Sequence, residues 1–147
     1  MRVVWGLSNP EMNEALANWC AAQLALPRPF QPPYTAMGTF DGELLVAVHV
    51  FNNFYPETGV IEMHGAAITP RWMTRPVLKE LFTFAYERCG CQNVVMRVSE
   101  RNTRLHRQLV AYGFKHVTIP RLRGRDEAER IYWLTDDAWR SNGFHRS

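Results

Sequence analysis

The sequence predicts one mixed α/β domain, and three observations lead to that prediction. The chain has 147 residues, close to the roughly 150 that one domain commonly takes, so residues 1–147 are expected to form a single domain. The hydrophobic fraction of 46% and charged fraction of 21% are typical of a globular protein and exclude a disordered or collagen-like chain. Short β-forming runs alternate with amphipathic helical stretches, which is the pattern of a mixed α/β fold.

The composition favours a cytosolic protein without a metal. No apolar run reaches the roughly 18 residues of a membrane helix, and the start, MRVVWGLSNPEMNEA, lacks the basic-then-apolar pattern of a signal peptide. Cys20, Cys89 and Cys91 lack the spacing of a zinc site, so we predict free thiols. Nearly all of the 17 basic residues are arginine, which suits phosphate-bearing partners because guanidinium donates in a bidentate fork.

The first third of the chain predicts a strand, a helix and a loop. Residues 3–7 form the expected strand, and Asn9-Pro10 is typical of a helix start. Apolar residues then recur at spacings of three and four through about Leu26, which predicts a helix. The segment PRPFQPP, residues 27–33, is expected to be an extended loop because proline lacks a backbone donor.

A hairpin and a third strand are expected next. The β-forming runs TAMGTF and ELLVAVHVF are separated by Asp41-Gly42, a dipeptide that favours a tight turn. The segment NNFYPETG is expected to be a loop, and residues 60–68, VIEMHGAAI, a strand. Gly65 within that strand indicates a bulge or a close approach of backbone.

The second half predicts an alternation of helices and strands. Residues 75–88 show the strongest amphipathic stripe, residues 93–99 read as a buried strand, and Asn102 begins a helix that ends at Gly113. The runs FKHVTIP and ERIYWL are expected strands, followed by a short helix over DDAWRS. The strand–helix–strand order of residues 60–99 predicts two parallel neighbours joined by a right-handed crossover.

Two segments carry a resemblance to a known family. The first, IEMHGAAITPRWMTRPVLKEL, is a strand entering a helix through a proline-led loop, and the second, NVVMRVSERNTRLHRQLVAYGF, is a strand, a polar corner and a helix. In the second, Asn102 precedes Gly113-Phe114 by eleven and twelve positions. This arrangement resembles the GNAT superfamily of coenzyme A-dependent N-acyltransferases, and specifically its phage and prophage members.

The resemblance implies a mostly antiparallel sheet with a central splayed parallel strand pair, residues 60–68 and 93–99. Backbone groups freed by the splay would pair with pantetheine amides and polarise a thioester carbonyl. The loop at residues 71–75 would receive the pyrophosphate at a helix N-terminus, and Trp72 could cover adenine or pantetheine. The residues implied at the cofactor, acetyl-coenzyme A, are Ala66, Ile68, Arg71, Trp72, Met73, Thr74, Arg75 and Asn102.

The sequence departs from the family pattern at two places. Both glycines of the pyrophosphate loop are missing, and Pro76 removes a backbone donor, which predicts a degenerate loop of altered geometry. The tyrosine that protonates the leaving thiolate in many members aligns with Leu109. Tyr112, one turn along the same helix, is the candidate replacement, with Ser99 or His106 as alternatives.

Glu62 and His64 are the candidate bases for deprotonating an acceptor amine. They are two residues apart on one strand, so they share a face, and a carboxylate or imidazole poised near neutral pH can accept a proton. The structural alternative is a mutually hydrogen-bonded polar pair. Asn102 likewise serves either the cofactor or simply the helix as its cap.

The resemblance implies an N-acyltransferase that uses an acyl-coenzyme A, acetyl-coenzyme A first, and transfers directly to an unknown primary amine. The acceptor would be a small molecule or a protein, and a homodimer is possible. The alternative is a catalytically inactive binding protein of a phage or prophage, which could be virion-associated. Seven arginines between residues 97 and 125 raise the option of nucleic acid, but acidic residues interleave with them, so we do not expect that partner.

Overall fold

The computed structural model describes residues 1–142, whose strands form one seven-stranded sheet in the order β1-β2-β3-β4-β5-β7-β6. The strands are β1 (Arg2–Trp5), β2 (Tyr34–Asp41), β3 (Leu44–Tyr55), β4 (Val60–Ala67), β5 (Asn93–Ser99), β6 (Lys115–Ile119) and β7 (Glu129–Thr135). The helices are α1 (Pro10–Gln23), α2 (Arg75–Thr83), α3 (Thr103–Tyr112) and α4 (Asp136–Ser141). A 3₁₀ turn covers Pro70–Trp72, and one π-helical turn, Phe84–Arg88, continues α2.

The strand pairing agrees with the predicted mixed sheet. Neighbouring strands are antiparallel except β4 and β5, which are parallel. This parallel pair is short, because only Val60–Glu62 lie in register with Asn93–Val95. Beyond that point β4 stays paired with β3 and β5 stays paired with β7. The predicted splay of the two parallel strands is therefore present.

Helix α1 covers one face of the sheet. Its residues Leu16 and Cys20 pack against Ala36, Val48 and Val50 of β2 and β3. Asn9 caps the helix as expected, since its Oδ1 accepts from the Met12 N–H at 3.1 Å.

The other three helices cover the opposite face. The larger core cluster joins Leu81 of α2, Leu109 of α3 and Trp139 of α4 to strand residues such as Met63 and Met96. Gly113 ends α3 with φ of 117°, the left-handed conformation that the sequence predicted for a helix C-cap. Side chains alternate between the two faces of a strand, so neighbouring residues of β3 and β4 face α1 on one side and the other three helices on the other.

Three predicted boundaries were wrong. Strand β1 ends at Trp5 and not at Leu7, because Leu7 and Ser8 form a turn that leads into α1. Helix α1 ends at Gln23 instead of near Leu26, because Ala25 takes φ of 53° and the Leu26 N–H donates to the Ala21 carbonyl at 3.0 Å, which is a helix-terminating arrangement. The segment NNFYPETG is not wholly a loop, since β3 runs to Tyr55 and pairs again with Val60 past an irregularity.

Candidate active site

A cleft opens where β4 and β5 separate. Their pairing ends at Glu62 and Val95, although β4 continues to Ala67 and β5 to Ser99. A cavity of about 540 Å³ lies at this point, within the range of small-molecule sites. Its walls come from β4, the 3₁₀ turn and helices α2 and α3, and it is also lined by Gln23 at the end of α1, on the other face of the sheet. The separated strands thus leave a passage between the two faces.

The backbone groups that face the splay differ from those predicted. The Ile68 N–H donates to the Val46 carbonyl at 2.9 Å, so it is not free for a ligand. Along an antiparallel strand, every second residue points both its N–H and its carbonyl group toward one neighbouring strand, and the residues between them point both groups to the opposite side. Ala66 therefore also points toward β3, in register with Val48. Gly65 and Ala67, in the intervening positions, direct their N–H and carbonyl groups toward the gap.

The loop before α2 uses most of its own backbone donors. The Met73 N–H donates to the Pro70 carbonyl at 3.2 Å and the Thr74 N–H to the Trp72 carbonyl at 2.9 Å. The Thr74 hydroxyl caps the helix by accepting from the Val77 N–H, and Pro76 has no donor. Within residues 71–75, the N–H groups of Arg71, Met73 and Thr74 therefore already have partners in the same segment of chain.

The arginines at the cleft are only partly those predicted. Arg71 does not line the cavity; its guanidinium is exposed and lies 3.9 Å from Asp41 in the β2–β3 hairpin. Arg75 does line the cavity, and Arg104 at the start of α3 joins it. Both α2 and α3 thus begin at the cleft, and each contributes a cation together with the partial positive charge of a helix N-terminus.

Asn102 lies at the mouth of the cleft, where it caps α3, which is one of the two roles that the sequence allowed. Its Oδ1 accepts from the Leu105 N–H at 3.2 Å, which satisfies one of the first-turn donors of α3. The residue also lines the cavity. Contact with a cofactor remains a prediction.

Glu62 and His64 form a polar pair on the α1 face of β4. Glu62 Oε2 lies 3.1 Å from His64 Nε2, and the same nitrogen lies 2.9 Å from Asn52 Oδ1. Because both neighbours are oxygens, Nε2 carries the proton and Nδ1 is the basic nitrogen of the neutral ring. Neither side chain lines the cavity wall, but Ala66, on the same face of the strand, does.

A bulge that the sequence did not reveal holds Glu62. Asn53 lies where the β3–β4 register shifts, with φ of 48°, and its Nδ2 donates to Glu62 Oε1 at 2.9 Å. Burial raises the pKa of Glu62, but hydrogen bonds from His64 and Asn53 and the charge of Arg97 outweigh it and bring the pKa below its ordinary value. Glu62 is therefore an ionised partner for His64 at neutral pH rather than a strong base.

Tyr112, the candidate proton donor, lines the cavity, and its role as a proton donor stays a prediction. Its side chain is buried, and its hydroxyl accepts from the Trp139 Nε1–H at 3.2 Å beneath α4. Burial raises the pKa of Tyr112 to about 12, although the hydrogen bond with Trp139 opposes this. The two alternatives are engaged elsewhere, because Ser99 donates to Glu127 and His106 Nδ1 lies 2.5 Å from the Tyr132 hydroxyl.

His49 is a cleft residue that sequence reasoning missed. It lies on β3 opposite Gly65, lines the cavity and is only 4% exposed. The Trp72 ring packs on it with ring centroids 4.5 Å apart. Trp72, which we predicted to cover adenine or pantetheine, therefore lies against this imidazole. The run ELLVAVHVF offered one signal, since its histidine interrupts an otherwise continuous apolar stretch.

The described residues, 1–142, hold neither a cluster of metal-ligating side chains nor a membrane-spanning helix. Within residues 1–142, no three His, Cys, Asp or Glu side chains are grouped so that they could hold a metal ion. The three cysteines are free thiols. No helix in this range is long and apolar enough to cross a bilayer.

Solved acetyltransferase structures share this architecture. A mutant of spermidine N-acetyltransferase SpeG from Vibrio cholerae matches with a TM-score of 0.71 and 10% identity, over 97% of this chain and 100% of that chain. Two candidate acetyltransferases, the second from T. thermophilus, match with TM-scores of 0.64 and 0.65 and identities of 21% and 19%. These matches cover 76% and 84% of this chain, which spans only 61% and 66% of those two proteins.

Sequence comparison adds no relative. No sequence profile of a known protein family matches the chain, and no curated protein matches it by sequence. At identities this low, the structural likeness concerns the fold and not the reaction. The mostly antiparallel seven-stranded sheet with one splayed parallel pair is the GNAT acyl-coenzyme A N-acyltransferase fold, which the family resemblance implied.

Proposed function

We propose that the protein is an acetyl-coenzyme A-dependent N-acyltransferase that acts on a primary amine by direct transfer. The observation that carries the proposal is the passage between β4 and β5, lined by residues from both faces of the sheet. Direct transfer requires two substrates to meet at one point from separate approaches. The α2 and α3 side is suited to the acyl donor and the α1 side, with Glu62 and His64, to the amine.

The donor side combines backbone and cationic groups. Gly65 and Ala67 direct main-chain groups into the gap, where an N–H can polarise a thioester carbonyl. Arg75 and Arg104 and the first turns of α2 and α3 face the mouth of the cleft, which suits a pyrophosphate. Acetyl-coenzyme A, when bound, supplies the activated acyl group.

The acceptor side holds a base that is supported by a carboxylate. An ammonium must lose a proton before its nitrogen can attack. His64 accepts that proton at Nδ1, and Glu62 stabilises the resulting imidazolium from 3.1 Å away. Asn52 and Asn53 fix the two side chains in this orientation.

One observation favours the second candidate, a binding protein without catalytic activity. The N–H groups of Met73 and Thr74 in the loop before α2 and of Val77 in its first turn donate to oxygens of the same segment, which leaves fewer donors for a phosphate. A protein of this kind binds no acetyl-coenzyme A or transfers no acyl group.

Calorimetric titration with acetyl-coenzyme A, followed by an acyl-transfer assay on a panel of amines, decides between these candidates. The panel includes spermidine, because a structural neighbour is a spermidine N-acetyltransferase. Acetyl-coenzyme A at a hundredfold excess over Kd should raise the free energy of unfolding by roughly 2.7 kcal/mol. In the transfer assay, His64→Ala and Glu62→Gln should lower turnover. His116→Ala is the matched control, since His116 is exposed on β6. Absence of binding at millimolar ligand refutes the proposal.

A further inference from the structure

His49 is a buried ionisable residue of the cleft that the proposed transfer does not yet use. It belongs to the central strand β3, and its burial between that strand and Trp72 leaves only 4% of it exposed. Its Nδ1 has no hydrogen-bond partner anywhere in residues 1–142. A buried polar nitrogen without a partner costs free energy, and a phenylalanine or leucine would fill such a position without that cost. Packing alone therefore does not account for a histidine here.

The ring reaches across β4 toward the gap. His49 and Gly65 are directly opposite one another, and a Cβ built on Gly65 would lie 2.7 Å from His49 Cδ2 and 2.9 Å from His49 Nε2. The imidazole thus occupies the space that the absent side chain leaves, with its Nε2 edge above the Gly65 backbone. Gly65 is also one of the residues whose N–H points into the splay.

The proton of the neutral ring belongs on Nε2. Neutral imidazole has one N–H donor and one acceptor nitrogen. A buried donor without a partner is rarer in proteins than an under-satisfied acceptor, so the partnerless Nδ1 is best assigned the lone pair. Burial also lowers the pKa of His49 to about 4, which keeps the ring neutral at physiological pH. The Nε2–H then remains as a donor on the edge that faces Gly65.

We propose that His49 Nε2–H donates a hydrogen bond to the carbonyl oxygen of the acyl group in the cleft, beside the Gly65 N–H. This inference rests on the proposed acyl transfer and deepens it. When the amine attacks, the C–N bond forms and the carbonyl oxygen gains negative charge, and two donors fixed above and within the sheet stabilise that charge without reorganising. The carbonyl then reforms as the C–S bond breaks, and coenzyme A departs as its thiolate, which a thiol pKa near 8.5 allows. A neutral donor suits this role because it forms no competing ion pair in the substrate complex.

Two variants separate hydrogen bonding from packing. His49→Phe keeps a ring against Trp72 and removes the donor, while His49→Gln replaces it with an amide N–H. Loss of one such donor typically lowers kcat by about 100-fold to 1000-fold. We expect a fall of that order in His49→Phe with little change in KM, and partial recovery in His49→Gln.

A second measurement does not depend on turnover. The ¹⁵N shifts of the His49 ring in the wild-type protein should show the Nε2–H tautomer, and acetyl-coenzyme A should shift that resonance more than coenzyme A, which has no carbonyl at this position. Thermal unfolding of each variant verifies that it is folded.

The outcomes distinguish this inference from the function on which it rests. If acetyl-coenzyme A binds and is turned over but folded His49→Phe retains wild-type kcat, the role of His49 is refuted and the transferase assignment stands. An Nδ1–H tautomer that acetyl-coenzyme A leaves unchanged refutes it as well. If neither nucleotide binds, the proposed function fails and takes this inference with it.

Discussion

Replacing Gly65 with alanine tests the steric relation on which the cleft geometry depends. The new Cβ would lie 2.7 Å from His49 Cδ2 and 2.9 Å from Nε2, separations that real Cβ atoms essentially never show. The φ of Gly65 is outside the left-handed region, so the substitution strains no backbone dihedral. Any cost therefore comes from contact with the imidazole.

The magnitude follows from two opposing effects. Overpacking a filled site costs about 1 to 3 kcal/mol, whereas alanine in a strand interior is favoured over glycine by roughly 0.5 to 1 kcal/mol. We expect Gly65→Ala to lower the free energy of unfolding by about 1 to 2 kcal/mol in the wild-type background. In a His49→Ala background the clashing atoms are gone, and the same substitution should be neutral or stabilising by up to roughly 1 kcal/mol.

Urea unfolding of the four proteins in this double-mutant cycle measures the coupling free energy, which should be about 2 kcal/mol. Gly113→Ala is the control. Its cost comes from φ of 117°, and its nearest neighbours, Asn142 and Leu134, do not include His49, so its effect should be the same in both backgrounds. A coupling near zero for Gly65 and His49 would show that the imidazole does not lie over β4 as described.

Three further predictions concern stability. Burial lowers the folded pKa of His49 to about 4, whereas an unfolded histidine titrates near 6.5. The free energy of unfolding should therefore reach its full value above pH 6.5 and fall by about 3 kcal/mol as the pH drops to 4. Urea unfolding of His49→Phe should show no such contribution, and an unchanged pH dependence in this variant contradicts the assignment. The pKa of Glu62 is lowered in the folded protein, so its ionised form stabilises the fold above the unfolded pKa, and this contribution is lost as the pH falls through the folded pKa. Glu62→Gln should therefore lower the free energy of unfolding at pH 7 and lower it less in acid. Urea unfolding at pH 7 and at acidic pH tests this, and an equal loss under both conditions contradicts it. Tyr86→Phe removes the buried hydroxyl that donates to the Leu134 carbonyl at 2.5 Å; calorimetry should find a loss of about 1 to 3 kcal/mol, and a lossless variant would mean that the carbonyl finds another donor.

Local patterns were sufficient for most elements of the fold. The caps at Asn9 and Gly113 and the amphipathic stripe of α2 each depend on residues close in sequence, and the structure confirms them. The predicted β2–β3 hairpin is also present, but its turn residues are Gly42-Glu43, because Asp41 still pairs with Leu44. Where predicted boundaries were wrong, the causes differed: α1 stops early because Ala25 takes a left-handed backbone conformation, and β3 extends to Tyr55 because Val60 pairs with it.

The candidate site was predictable only in part. Its geometry depends on which residues of β4 direct their backbone groups into the gap and on side chains that are distant in sequence. Residue spacing correctly placed Glu62 and His64 on one face. Spacing does not say which alternate backbone groups of β4 face the gap, and that phase was set by the pairing of Ile68 with Val46. Similarly, Arg71 is one residue from the cleft lining in sequence, yet the hairpin carboxylate of Asp41 lies beside it.

The sequence by itself determined the alternation of strands and helices and the parallel crossover, because turn chemistry and hydrophobic periodicity act over a few residues. Only the tertiary structure decided what the cleft contains. A histidine on β3, a glycine on β4 and a tryptophan beyond it become neighbours through strand register and packing, and no local pattern encodes contacts among residues separated by so much chain.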